Sequence, residues 1–333
     1  MIATSPSQLQ AARRPGAVPA PEEILPDTHV IALPLPQGSS VVYTLCYVLV
    51  DSGGAAHLVD PGSNLDGNFE ALAGFLDRLG VDRVATVFAT HLHPDHLGLA
   101  DRIRRKTGAR VALGRVEQGA LRTLPATRAS AADFERWGVP EGERPDPAKL
   151  VRRRAADPDF RADVLLEDGD ALDIPGRAVT AMLTPGHTTG HISLRDDTRK
   201  LLFTGDHVLP TLYPGIGLGG PSALNPIGTY FGALEALRPY TDYEACPGHG
   251  YRFTGLASRI DRIEEHHRHR AREVRAVRER EPGASVWEVS RHVTWKRGWD
   301  NLPAFLQASA LRQVEMHLQY LDALDAEAAA PAP

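Results

Sequence analysis

The apolar and polar positions divide the chain into a strand-rich body followed by a helical tail. Residues 30–35 read as a strand ending in the turn Pro36-Gln37-Gly38, and 41–50 (VVYTLCYVLV) is a second, β-rich run. Residues 51–54 make a turn, and the short strand 56–59 ends at Asp60-Pro61-Gly62. Short strands between turn residues predict an antiparallel meander. The period then changes: Phe69, Leu72, Phe75, Leu76 and Leu79 recur at helical spacing over 68–79, with Gly80 as the stop. A buried strand is expected over 84–89, a helix over 97–106 and a strand over 110–113. Further strands follow at 164–166, 179–183, 191–194, 200–204 and 244–246, with a helix at 231–237. Strands alternating with helices place the chain in the α/β (α+β) class, helices lying outside a sheet.

Three stretches break this alternation. Residues 1–22, rich in Ser, Gln, Ala, Arg and Pro, read as a disordered lead-in. Residues 115–160 are rich in Ala, Arg and Pro and poor in strand formers, which predicts short helices inserted into a body spanning 23–254. From 255 to 333 the pattern is a long charged helix, a Glu281-Pro282-Gly283 break and two further helices, a small C-terminal helical domain. Composition narrows the partners. The 333 residues are 42% hydrophobic and 24% charged, with a net charge of −5 and a pI near 6.3. That balance makes nucleic acid an unfavoured partner. The two cysteines, Cys46 and Cys246, fit no CxxC motif. The expectation is a cytoplasmic protein without a membrane span, since no apolar run is long enough and the first residues lack the apolar stretch of an export signal.

The candidate chemistry is concentrated in His91-Leu92-His93-Pro94-Asp95-His96, at the end of the expected strand 84–89. Three imidazoles and a carboxylate within six residues form a metal-ligand set, and strand periodicity puts His91 and His93 on one face. More ligand-type residues sit on turns just after expected strands: His187 in Thr-Pro-Gly-His, Asp206 in Thr-Gly-Asp and His249 in Pro-Gly-His-Gly.

In these motifs the chain resembles the metallo-β-lactamase superfamily: an early strand-end Asp60, HxHxDH at 91–96, then His187, Asp206 and His249. The resemblance covers roughly residues 30–254 and implies an αββα sandwich with two metal ions at one edge, expected to be zinc, with iron or manganese also suited to such ligands. By the resemblance, His91, His93 and His187 hold the first ion. Asp95, His96 and His249 hold the second, and Asp206 bridges both. Asp95 and Asp206 are the candidate catalytic residues, with Asp60, His191 and His207 expected just behind the ligands. True β-lactamases of the family usually carry a Cys where Asp206 stands, so this chain looks like the branches with a bridging carboxylate. They include relatives similar to glyoxalase II and acyl-carrier thioesterases.

The reaction this implies is attack by a metal-bridging hydroxide on the thioester, ester or lactone carbonyl of a small acyl substrate, free or linked to CoA or a carrier protein. Phosphodiester hydrolysis of RNA or nucleotides is the alternative, because the helical tail resembles that of relatives similar to β-lactamase-like endoribonucleases and carries a basic stretch from Arg268 to Arg280. A diiron redox module lacks its flavodoxin-like partner domain in this sequence. Oligomeric state is left open, a dimer included. The GxGxxG at 215–220 is flanked by Pro214 and Pro221 rather than by a strand and a helix, so a mobile loop near the metals is expected there instead of a dinucleotide site.

Overall fold

The structure, a computed structural model, describes residues 1–151, 159–220 and 222–330. Residues 152–158 of the inserted segment, Pro221 beside the glycine-rich loop and the last three residues of the helical tail lie outside the described residues. In chain order the strands are β1 (Ile2–Ala3), β2 (Glu22–Leu25), β3 (Thr28–Pro34), β4 (Tyr43–Val50), β5 (Ala56–Val59), β6 (Val84–Ala89), β7 (Arg110–Gly114) and β8 (Val164–Leu166). They continue with β9 (Val179–Leu183), β10 (Ile192–Asp196), β11 (Leu201–Gly205), β12 (Glu244–Pro247) and β13 (Phe253–Thr254). Among the described residues they form two mixed sheets, ordered β2-β3-β4-β5-β6-β7-β8 and β1-β13-β12-β11-β10-β9.

The expected meander is β2 to β5, each antiparallel to the next. From β5 to β8 the pairing turns parallel. A parallel neighbour needs a long crossover. The stretches carrying α2 (Asp66–Arg78) and, later, α3 (Pro94–Leu97) and α4 (Ala100–Thr107) supply two of them; the crossover from β7 to β8 contains α5 (Arg115–Thr123) and α6 (Ala131–Arg136). One helix was expected over 97–106, but the chain makes two, α3 and α4, so Asp95 and His96 lie on a single helical turn.

Both sheets are covered on two faces, which explains the apolar run at β4. Tyr43, Leu45, Tyr47 and Leu49 point into the core between the sheets, while Cys46 and Val48 point to the outer layer of α2 and α4. Both cysteines are buried and free. On the other side, Leu202, Ala245 and Phe253 pack on α7 (Pro226–Leu237) and α8 (Leu256–Arg280). The result is the αββα sandwich expected from the sequence.

The N-terminus departs from expectation. Instead of a disordered lead-in, residues 2–3 add an edge strand to β13, and Pro6–Ala12 forms α1, capped by the Ser5 hydroxyl, which accepts from the Gln8 N–H at 3.1 Å. Buried Arg252 ties the segment down, pairing with Glu22 at 3.2 Å and with Glu244, whose carboxylate also accepts from Thr4. Composition alone could not reveal partners some 230 positions away.

The helical tail consists of α8, α9 (Val286–His292) and α10 (Ala304–Ala329). It shares a core with the inserted segment: Trp137, Val139 and Leu150 pack with Trp287, Trp299 and Leu311. No described helix is long and apolar enough to cross a membrane. Trp137 is wholly buried at the centre of this shared core. Trp137→Ala should therefore cost about 3–5 kcal/mol, read as a lower urea midpoint at unchanged slope; an unchanged midpoint would show that the insertion and the tail do not stabilise each other.

Candidate metal centre

The strand ends of both sheets meet at one edge. β5 runs out into Asp60, β6 into Thr90-His91, β9 into His187, β11 into Asp206 and β12 into His249. Asp60 adopts a left-handed backbone (φ 54°), which turns its carboxylate back under the β6 end. There it accepts from the Thr90 N–H (2.8 Å) and the Thr90 hydroxyl (2.9 Å), and its Oδ2 lies 2.8 Å from His96 Nδ1. Gly248 lets β12 come close, since a Cβ there would lie 2.6 Å from His96 Cε1 and 2.8 Å from Asp206 Oδ1.

These bonds fix which nitrogen of each ring faces inward. His187 Nδ1 donates to the Gly215 carbonyl at 2.7 Å, His249 Nδ1 to the Tyr43 carbonyl at 2.7 Å, and His96 Nδ1 to Asp60. The Thr90 hydroxyl is committed to Asp60, so His91 Nδ1 donates to that oxygen at 3.0 Å. All four rings thus turn Nε2 to the interior, the outer nitrogen held by a carboxylate, carbonyl or hydroxyl as in metal-binding histidines. His93 presents Nδ1, 2.9 Å from His91 Nε2 and 3.1 Å from His187 Nε2.

Three groups of potential ligand atoms result, each within 4.8 Å: His91, His93 and His187; His91, His96 and Asp206; and Asp95, His96 and His249. Asp206 stands between them. Its Oδ1 is 3.5 Å from His96 Nε2 and 3.4 Å from His249 Nε2, and its Oδ2 is 3.6 Å from His187 Nε2. Asp95 Oδ2 lies 3.3 Å from His249 Nε2 and 3.8 Å from His96 Nε2. All seven residues taken from the sequence as ligands therefore come together, with His93 and Asp95 on the more open side.

Burial holds His93 down at about 3, and it lowers His91 and His187, with neighbouring imidazoles adding to the effect on all three. Burial would also lower His96, but the carboxylates of Asp60, Asp206 and Asp95 outweigh it and raise that ring to about 9. Asp206 and Asp95 raise His249 against the same burial. Facing imidazoles hold both carboxyls below their usual range, although burial alone would raise them. His96 Nε2 and Asp206 Oδ1 are buried with no hydrogen-bond partner among the described residues. A partnerless inward imidazole nitrogen and carboxylate oxygen, beside the half-buried carboxylate of Asp95, are a donor set that a divalent cation satisfies once the ring gives up its proton.

The three residues expected behind the ligands divide. Asp60 orients His96. His191 Nδ1 lies 2.9 Å from the Thr184 hydroxyl, and its Nε2 accepts from the Asp206 N–H at 3.2 Å, so it fixes the Asp206 backbone. His207 takes no such part: its ring packs edge-on against Tyr230 at 4.8 Å, and neither nitrogen has a partner among the described residues. Four participants were not anticipated, namely Thr90, the Gly215 and Tyr43 carbonyls and Glu117. Glu117 is buried and accepts from the N–H of Leu92 (2.8 Å) and of Gly190 (2.7 Å). Burial pushes its carboxyl up to about 7, the two N–H bonds opposing. A lone Glu at the start of a helix carries no sequence signal for that task.

Comparison with known proteins agrees with this geometry. A family model described as the metallo-beta-lactamase superfamily matches residues 40–249. The lactamase-like protein adaB of Aspergillus niger is 25% identical over 232 residues, 70% of this chain and 58% of that protein. Human acyl-coenzyme A thioesterase MBLAC2 is 33% identical over 168 residues, 48% of this chain and 54% of the thioesterase. The chain thus spans little more than half the length of these curated relatives. Among solved structures, a metallo-beta-lactamase family protein from Thermus thermophilus superposes with a TM-score of 0.72 at 25% identity, covering 91% of this chain and 95% of that one. A beta-lactamase domain protein from Burkholderia ambifaria gives 0.74 at 26% identity, over 93% and 90%.

The protonation of His96 makes metal uptake pH-dependent. To bind through Nε2, the ring must lose a proton it holds up to about pH 9. Apparent metal affinity should rise as pH rises towards that value, with protons released on metal addition; affinity independent of pH, with no release, would show that His96 does not hold that proton in the metal-free protein.

Proposed function

The chain belongs to the metallo-β-lactamase superfamily, and on that premise we propose that it is a dinuclear thioesterase acting on small acyl thioesters. It is a hydrolase whose His/Asp cluster binds divalent metal. The observation that carries the dinuclear reading is the place of Asp206, one oxygen towards His96 and His249 and the other towards His187. In this reading His91, His93 and His187 hold one ion, Asp95, His96 and His249 hold the other, and Asp206 reaches both. Zinc suits these ligands best, while iron and manganese accept the same set.

Two such ions supply Lewis acidity, lowering the pKa of water towards ~7 and polarising the carbonyl under attack. The protein's part is to aim them. Asp60, His191 and the Gly215 and Tyr43 carbonyls fix the ligand rings and the Asp206 backbone, so little reorganisation remains for the reaction. Asp95, on the open side, is placed to orient water entering the site. The thioester preference rests on the named acyl-CoA thioesterase relative and on the loop leading away from Asp206. That loop carries the exposed apolar side chains Leu212 and Tyr213, three and two residues before Gly215, whose carbonyl holds His187, a surface suited to an acyl chain carried by CoA or an acyl-carrier protein.

The phosphodiesterase alternative would use the arginines of α8. They are largely neutralised: Arg268 pairs with Glu264, Arg270 with Glu273, Arg272 with Glu265, and Arg275 and Arg278 with Asp325. Such pairs leave little charge for a phosphate backbone.

Purified, zinc-loaded protein assayed on an acyl-CoA thioester and on bis(p-nitrophenyl) phosphate decides between the two. Thioester cleavage should dominate and should fall by at least about 100-fold in Asp206→Ala, together with loss of bound metal. Dominant phosphodiester cleavage would overturn the substrate reading, and full activity and metal content in the variant would overturn the ligand assignment.

A further inference from the structure

Glu117 stands apart from the residues that face the metal site. It lies in the first turn of α5, fully buried, and its polar neighbours are backbone N–H groups and the Thr188 hydroxyl rather than cations. A buried carboxylate with no opposite charge is costly to keep. What it grips accounts for its presence. Oε2 accepts from the N–H of Leu92, the residue between His91 and His93, and Oε1 accepts from the N–H of Gly190, three residues after His187. One carboxylate thus bolts the loop after β6 to the loop after β9. Those two loops supply the three imidazoles of the first group. Gly190 makes the approach possible, since a Cβ there would lie 2.7 Å from the Glu117 nitrogen and 2.5 Å from Val116 Cβ.

We infer that Glu117 is a positioning residue that sets the distance between the His91–His93 pair and His187, and so tunes the affinity of the three-histidine site selectively over the Asp95–His96–His249 site. The inference rests on the metal-site reading above. Glu117 touches neither an ion nor substrate in this role; it acts through the backbone of the ligand loops.

Glu117→Gln tests it. The substitution conserves volume, keeps an acceptor for one N–H and turns an NH2 group towards the other. Cobalt(II) titration of the wild type and variant, followed by d–d absorption and by competition with a chromophoric chelator, reads each binding step without reference to activity. Urea unfolding of both metal-free proteins reads general stability. The expected result is one binding step weakened by about 10- to 100-fold, with an altered cobalt spectrum, and the other step unchanged. Two unaltered steps would overturn the inference, and so would equal weakening of both in step with a lower unfolding midpoint, the mark of a merely structural role. If the wild type takes up a single ion, the two-ion reading falls, and weakening of that one step in the variant still supports the role of Glu117 while no change overturns it. A wild type that takes up no cobalt overturns the metal reading and this inference together.

Discussion

Five imidazoles and two carboxylates converge at one edge of the sandwich, all but His93 and Asp95 of them buried, and the rest of the fold answers to that concentration. Water has little access to the buried members, and some of their inward atoms lack any other partner. His96 Nε2 and Asp206 Oδ1 are the clearest cases. Such a cluster is stable only as the shell of cations or as a strained set of competing protons. The opposing shifts of His93 and His96, one down to about 3 and the other up to about 9, express that competition. Burial dominates at the first, where imidazoles and carboxylates oppose one another, while three carboxylates overcome burial at the second.

The scaffold meets this demand by presenting the ligands on backbone rather than on flexible side-chain chains. His91, Asp206 and His249 follow directly or within two residues of the largely buried strands β6, β11 and β12, so their Cα positions are fixed by the core. The remaining freedom, rotation of the rings, is removed by bonds to the outer nitrogen. A carbonyl from β4 holds His249, a carbonyl from the glycine-rich loop holds His187, and Asp60 holds His96. The glycine-rich loop is in turn anchored by the helical tail, where buried Arg259 donates to the carbonyls of Leu209 and Leu212. The tail is therefore mechanically part of the site although it contributes no ligand. Its charges are engaged largely in pairs within and between α8 and α10, consistent with a bracing role.

Much of this was legible in the sequence because the chemistry is local there. HxHxDH lies within six residues, and each of His187, Asp206 and His249 follows a recognisable strand and a glycine turn, so candidate ligands could be picked out directly, while the αββα sandwich followed from the family resemblance those motifs carry. The split of residues 94–107 into two helices was missed because the apolar spacing of 97–106 also fits one continuous helix. His207 looked equivalent to His191 because both sit beside ligand motifs; only the direction of the side chains separates them, one bonding the Asp206 backbone and the other packing on Tyr230.

The sequence by itself determined most of the elements and the set of metal-seeking side chains, since hydrophobic period and residue type are properties of short segments; the layering came through the family resemblance of those motifs. Tertiary structure alone decided which nitrogen of each ring faces inward, that Glu117 joins two ligand loops, and that the first residues are ordered by Arg252. Each of those depends on atoms brought together from distant parts of the chain by the packing of the two sheets, and no local pattern encodes such a distance.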